Sequence, residues 1–252
     1  MKRLFLFCVF CVAVVARAQT EKVDLLLIAA DDALLQPLVQ QLGQSKSETH
    51  AAWTFWRGTL AGKSVLLARS EGDPLNAVAA TTLAIRLHAP RLILSYGSAR
   101  AHDPALKAGD IVVSESFAAF DGLFSPPSSL GQGIHPLQWQ QLPHLLMTAG
   151  EKETPAMTFP ADAPALSVAL ALTSPHGRVL RGVLGSANQV NREADRVAWL
   201  HTMWHTSTED GESAHIAGCA ALLGVPVLGV RVVDGTAADA ADFARRFVEA
   251  WR

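Results

Sequence analysis

Cysteine is scarce, with three in 252 residues. Cys8 and Cys11 both fall within the first 18 residues, which leaves Cys219 without an intramolecular disulfide partner. Runs of Lys and Arg are missing as well, and with them the electrostatic footprint of a nucleic-acid-binding protein. One long apolar run stands out, 4–16, and it is too short to cross a bilayer. No second apolar segment of that length follows it, so no stable membrane insertion is expected once the run is removed. Internal repeats, charge blocks and domain linkers are absent, which favours one domain.

Lys2 and Arg3 precede the apolar run, and Ala16-Arg17-Ala18 offers a small-x-small cleavage site. Residues 1–18 therefore read as a signal peptide cleaved after Ala18, with a periplasmic or secreted destination. Cys11 follows Val9-Phe10, a poor context for lipid attachment. Cleavage takes away Lys2, Arg3 and Arg17 but no acidic residue, so the mature chain is more acidic than the full sequence, whose formal charge is −2. Residues 19–252 suit a single α/β domain with a sizeable core.

Strand and helix patterns alternate along that domain. The run 23–29 reads as a strand buried on both faces, followed by Asp31 and Asp32 and a helix carrying Leu34, Leu35, Leu38, Val39 and Leu42. Residues 53–56 and 64–68 read as strands around a turn at Ala61-Gly62-Lys63. Pro74 opens an Ala-rich helix to His88. Strands are expected at 92–94, 111–113, 178–185 and 226–233, and helices at 136–148, 164–172, 191–200, 212–223 and from Thr236 to the end. Gly, Pro and Ser dominate 117–133, a long loop of the kind that serves as a binding loop or lid; 152–163 is a second irregular stretch. The order predicts one three-layer α/β/α domain with a central mixed sheet.

Four strand ends carry small or polar residues: Asp31/Asp32, Gly97-Ser98, Ser186/Asn188 and Asp234. Ligands collect at the carboxyl ends of strands in open α/β sheets. Turns favour the same residue types, so no single end is diagnostic; the four together predict a cavity. His201 and His205 sit at i, i+4, but no Glu lies between them and no third ligand is near in sequence, so no metal site is predicted there.

The segment from Ser95 to Ser114, with Gly97-Ser98-Ala99 and then Leu106-Lys107-Ala108-Gly109-Asp110-Ile111-Val112-Val113-Ser114, resembles the GSAGG…LKxGDIVVS pattern of the purine nucleoside phosphorylase and nucleosidase superfamily. The resemblance is nearest to the methylthioadenosine/S-adenosylhomocysteine nucleosidase branch. Arg181 to Asn188 resembles that branch's RGLIxSGD, with Ala187 and Asn188 in the last two places. Glu209-Asp210-Gly211-Glu212-Ser213-Ala214 is similar to its VEMESA helix start, and 224–234 to VPFVVVRAISD, one residue shorter before the aspartate. The resemblance runs from about residue 23 to Asp234.

The resemblance implies a nucleoside-binding homodimer without a cofactor that cleaves an N-ribosyl bond. It implies that Asp234 protonates the leaving purine, that Glu212 binds the ribose hydroxyls, and that Gly97, Ser98, Asn188, Val190 and Gly211 contact substrate. Such cleavage needs an acid for the basic leaving group, an acceptor for the hydroxyls and a nucleophile at the anomeric carbon. The third role has two readings. The family's water-activating glutamate falls here on Ala33 or Leu34, so Asp31 or Asp32 serves from a shifted loop, or both simply favour the next helix N-terminus. Val190 replaces a purine-stacking phenylalanine; Phe117, Phe120 and Phe124 are candidates to compensate. Gly72-Asp73-Pro74 resembles the GDPxR phosphate loop of hexameric phosphorylases but follows a different strand and reads as a helix entry. Hydrolysis leads; phosphorolysis and a silent nucleoside-binding or storage protein are the alternatives.

Overall fold

The computed structural model describes residues 22–148, 150 and 152–252, so the signal-peptide reading of 1–18 lies outside the described residues. Ten strands form one mixed sheet. β1 (Leu25–Ala29) lies between β4 (Lys63–Arg69) and β5 (Leu92–Ala101), all three parallel. A hairpin of β2 (Gly43–His50) and β3 (Trp53–Leu60) extends the β4 edge. Every residue of β1 is buried, as its uninterrupted LLLIA requires.

On the other side of β5 the pairing closes on itself. β5 pairs with β14 (Val227–Val233), β14 with β6 (Ile111–Ala119), β6 with β12 (Val179–Ser186), β12 with β13 (Thr206–Asp210), and β13 returns to β5. This ring of five strands leaves no edge among its own members and gathers their ends around one mouth. The remaining strands are short: β7 (Leu123–Phe124), β8 (Gln140–Gln141), β9 (His144–Thr148), β10 (Lys152–Ala156) and β11 (Phe159–Pro160).

Helices α1 (Asp32–Val39), α3 (Ala163–Leu170) and α6 (Ala237–Ala250) cover one face, around Leu35, Leu38, Phe243 and Phe247. Helices α2 (Pro74–His88) and α5 (Ser213–Leu223) cover the other with small residues such as Ala77, Ala84 and Ala217. α4 (Ala194–Trp204) closes a third cluster with Phe120, Leu200 and Trp204. The three-layer α/β expectation is met. Asp73 caps α2 with Pro74 in its first turn, which makes Gly72-Asp73-Pro74 a helix entry. Thr236 and Asp239 form a capping box at the start of α6.

Four local expectations are corrected. The helix expected at 136–148 is one 3₁₀ turn, Pro136–Gln138, followed by β8 and β9, because Pro143 interrupts any helical continuation. Residues 152–156 are not irregular but pair with β9 as a hairpin. The expected loop from 117 begins later, because β6 continues to Ala119 and buries Phe117 and Phe120 in the core. β2 was not anticipated, since the polar edge sequence GQSKSETH shows no apolar alternation.

The LKxGD motif proves to be a clasp. The Asp110 carboxylate accepts from the Lys107 amide at 3.0 Å, the Arg178 amide at 2.9 Å and Arg178 Nη2 at 2.6 Å. Gly109 has φ +86°, and a Cβ there would stand 2.6 Å from the His176 carbonyl oxygen. The hydrogen bonds from Arg178 outweigh burial and hold Asp110 far below the usual carboxylate range. A depressed folded value means stability that is present above the unfolded pKa, about 4, and is lost as pH falls. Asp110→Asn should therefore lower the urea midpoint at neutral pH, with the gap from wild type closing as pH drops below about 4. A gap that stays constant to pH 3 would show that ionisation of Asp110 is not what holds the turn.

Candidate active site

β14 is buried along its whole length, yet its fifth residue is an arginine. Arg231 is only 1% exposed, so its charge has to be met inside the protein. Its Nε donates to Asp210 Oδ2 at 3.0 Å, Nη2 donates to Ser95 Oγ at 3.0 Å, and Nη1 donates to the Val230 carbonyl at 3.0 Å. Nη2 also lies 3.8 Å from Glu212 Oε1. One side chain thus ties β14 to β5, to the end of β13 and to the start of α5.

Asp210 is the hub on the other side. Its carboxylate accepts from the Glu212 amide at 2.8 Å, the Ser213 amide at 2.7 Å, Ser213 Oγ at 2.6 Å and Ser186 Oγ at 2.9 Å. Burial alone would raise its pKa, but Arg231 and these donors outweigh it and keep Asp210 below the ordinary range. Glu212 goes the other way: burial dominates over the help from Arg231 and Ser70, and its pKa is raised. Ser70 Oγ donates to Glu212 Oε2, and the Gly72 amide also reaches the carboxylate. Gly211 must be glycine here, because a Cβ would meet the Gly72 carbonyl oxygen at 2.4 Å.

Beside this cluster, at the mouth of the strand ring, lies a cavity of about 630 Å³, within the size range of small-molecule sites, about 300–1,000 Å³. Ser98, Asn188, Val190, Gly211 and Asp234 border it, together with Asp210, Arg100 and Glu209. Asp234 sits at the end of β14 with φ +43°, a left-handed conformation that Asp tolerates better than most residues. Its amide donates to the Ala99 carbonyl at 3.0 Å, which fixes it against the end of β5. Gly97 is buried within β5 in register with Arg231. Glu212 does not border the cavity; it lies behind Gly72 and Gly211. A larger hollow of about 920 Å³ is enclosed by residues between 124 and 139 and holds none of these acidic groups.

The end of β1 does not join the others, which corrects the expectation of four converging strand ends. Asp31 accepts from the Leu34 amide at 3.0 Å and caps α1; Asp32 pairs with Arg69 at 2.8 Å on the surface. Neither borders the cavity, so the capping reading describes both. Leu34 comes closest instead: its Cδ1 would lie 3.6 Å from a Cβ on Gly97, and Arg231 Nε 3.9 Å from that same point. Phe117 and Phe120 are core, and Phe124 borders the outer hollow. His201 and His205 do not share a helix face, because His205 ends α4 with φ +55°.

Three site features escaped the sequence reading. The first is Asp210 as a hub, for which four charged or small residues ahead of an apolar helix are a usable signal. The second is the ion pair made by Arg231, which the sequence offers only as one possible anion binder beside Arg69 and Arg100. The third is a buried pair, His102 Nε2 with Glu209 Oε2 at 3.0 Å, completed by Thr206 and by Asn191. Burial would raise the Glu209 pKa, but His102 and Asn191 prevail and lower it. Arg231→Met should cost about 3–5 kcal/mol by leaving Asp210 unpaired in the interior. Equilibrium urea denaturation measures it; a loss below about 1 kcal/mol would mean that Asp210 is satisfied without the arginine.

The family model of the phosphorylase superfamily matches residues 24–251. Among curated relatives, the 5'-methylthioadenosine/S-adenosylhomocysteine nucleosidases of Tolumonas auensis and Shewanella halifaxensis are 34% and 37% identical over 95 residues. Each match covers 38% of this chain and 41% of the relative, so the chain spans about two-fifths of the length of the curated relatives it matches. The nucleosidase of Neisseria meningitidis, solved with methylthio-immucillin-A, superposes with a TM-score of 0.74 at 22% identity, covering 90% of this chain and 98% of that one. The Colwellia psychrerythraea nucleosidase, solved with adenine, gives 0.75 at 21% identity, covering 92% and 97%. At that identity the superpositions establish the fold, and with the family model running almost end to end along the described residues, this chain belongs to the phosphorylase superfamily.

Proposed function

We propose that the cavity takes a purine nucleoside or thionucleoside and that the protein hydrolyses its N-ribosyl bond. The reading rests on one observation: Ser98, Asn188, Gly211 and Asp234, from separate strand ends, border one cavity beside the buried Arg231–Asp210–Glu212 cluster. The curated relatives named above are nucleosidases, and two of the fold neighbours were solved with adenine or a nucleoside analogue.

In this mechanism Asp234 gives its proton to the purine imidazole nitrogen as the C1′–N bond breaks and its electron pair leaves with the base. Glu212, held by Arg231, takes the role of acceptor for the ribose hydroxyls that the resemblance assigns to it. Water then adds to C1′, and its proton passes to the Asp234 carboxylate, which restores the acid. Neither Asp31 nor Asp32 borders the cavity to activate that water, so departure of the protonated base carries the catalysis and turnover is slow. The same placement favours a second reading, a silent nucleoside binder. Of the three arginines that could meet a phosphate, Arg69 is engaged by Asp32 and Glu71 and Arg231 by Asp210, while Arg100 borders the cavity and keeps phosphorolysis as a third reading.

Chromatography of methylthioadenosine, adenosine and inosine incubated with the mature protein should give free base without phosphate. Asp234→Asn should reduce its rate by about 10²–10⁴-fold. Nucleoside binding by calorimetry with no base released at high enzyme concentration would establish the silent binder instead, and strict phosphate dependence the phosphorylase.

The same proposal places the working protein outside the cytoplasm as a homodimer. The charged start, apolar run and Ala16-Arg17-Ala18 support export. Exposed Leu75, Val78, Leu222 and Leu223 on α2 and α5 support self-association. Mass spectrometry and light scattering of protein recovered from the periplasm should give a chain beginning at Gln19 in a two-chain particle; an intact Met1 in a single-chain particle would refute both.

A further inference from the structure

At the other end of β5 from the cavity, three metal-ligating side chains meet. Glu48 and His50 are two residues apart on the edge strand β2, so both point to the same face. Phe55 of β3 lies across from Glu48 in the hairpin register. Helix α2 ends at His88, whose carbonyl accepts from the Val23 amide at 3.0 Å, and this fixes the ring beneath the hairpin. Phe55 packs against both imidazoles, 5.8 Å from His50 and 6.3 Å from His88 between centroids.

One ligand atom from each of Glu48, His50 and His88 falls within 4.8 Å of the other two. His50 Nε2 is 3.6 Å from Glu48 Oε2, and His88 Nε2 touches Glu48 Oε1. Despite that contact, Glu48 Oε1, His50 Nε2 and His88 Nε2 are all buried atoms without a hydrogen bond. His88 is only 5% exposed, so the shortfall cannot be made up from bulk solvent. Three ligand atoms converging this closely suit a cation held between them. We propose that Glu48, His50 and His88 form a binding site for a divalent transition metal of zinc's class.

Two imidazoles and a carboxylate are a donor set that zinc accepts, with water in the fourth position. With Nε2 on the metal, the His88 ring carries its proton on Nδ1. The half-exposed side chains of Glu48 and His50 give the ion its way in. Arg57, two residues beyond Phe55 on β3, is the opposing positive charge facing His88, and the Glu48 carboxylate compensates it. The bound ion would pin the edge hairpin to the end of α2. It would act on stability and leave N-ribosyl chemistry alone, because the cavity is at the far end of β5.

The test uses the full mature protein, stripped with chelator and titrated with zinc chloride by calorimetry, and separately with cobalt(II) in the visible. One zinc per chain, an intense tetrahedral cobalt spectrum and a higher melting temperature with zinc are expected. His50→Gln and Glu48→Gln, both on the exposed hairpin and therefore tolerable to the fold, should each weaken zinc binding at least about tenfold. His88→Gln should do the same if it folds. Absence of saturable zinc binding, or an affinity unchanged in His50→Gln and Glu48→Gln, would overturn the site.

Discussion

The constraint on which the rest depends is a positive charge in the wrong place. Arg231 interrupts an otherwise apolar strand in the centre of the ring, and no water reaches it. A buried guanidinium is tolerable only when its donors find acceptors inside, and three structural elements supply them: Ser95 of β5, Asp210 of β13 and Glu212 at the head of α5. The same contacts that neutralise the arginine therefore align the strand ends. Asp210 in turn spends its remaining lone pairs on Ser186, Ser213 and the first amides of α5. Closure of the ring, the entry angle of α5 and the position of Glu212 are consequences of one charge being satisfied.

The network also decides which acids reach the cavity. Asp234, Asp210 and Glu209 border it, whereas Glu212 does not. Asp31 and Asp32 are engaged elsewhere, by the α1 N-terminus and by Arg69. Catalysis in such a cavity has to come from the leaving group's side.

The sequence features that identify the family and those that build the site are not the same. LKxGD is the most specific motif in the chain, and it works as a turn clasp between Asp110, Lys107 and Arg178, away from the cavity. Its value is topological: it sets β6 beside β12 and β14, and so places the ring. The opposite end of the sheet carries its own polar cluster, Glu48, His50 and His88, assembled from an edge hairpin and a helix terminus 38 positions apart in the case of His50 and His88.

Local patterns alone determined much. Apolar runs marked β1, the start of β5 and most of β14; Asp73-Pro74 and Thr236 marked the starts of α2 and α6; glycine and proline marked the turns. Each is readable because it depends on neighbours in the chain, through capping, backbone restriction or burial on two faces. What only the tertiary structure decided depends on partners far apart: that Asp31 caps a helix while Asp210 borders the cavity, that Phe117 and Phe120 fill the core, that Arg231 pairs with Asp210, and that His88 meets Glu48. Polar edge strands such as β2 gave no signal, because their stability comes from pairing and not from a buried face. The chain could announce which strand ends are polar. Which of them meet was settled by closure of the ring, since β1 lies outside it and the ends of β5, β12, β13 and β14 have no other place to go.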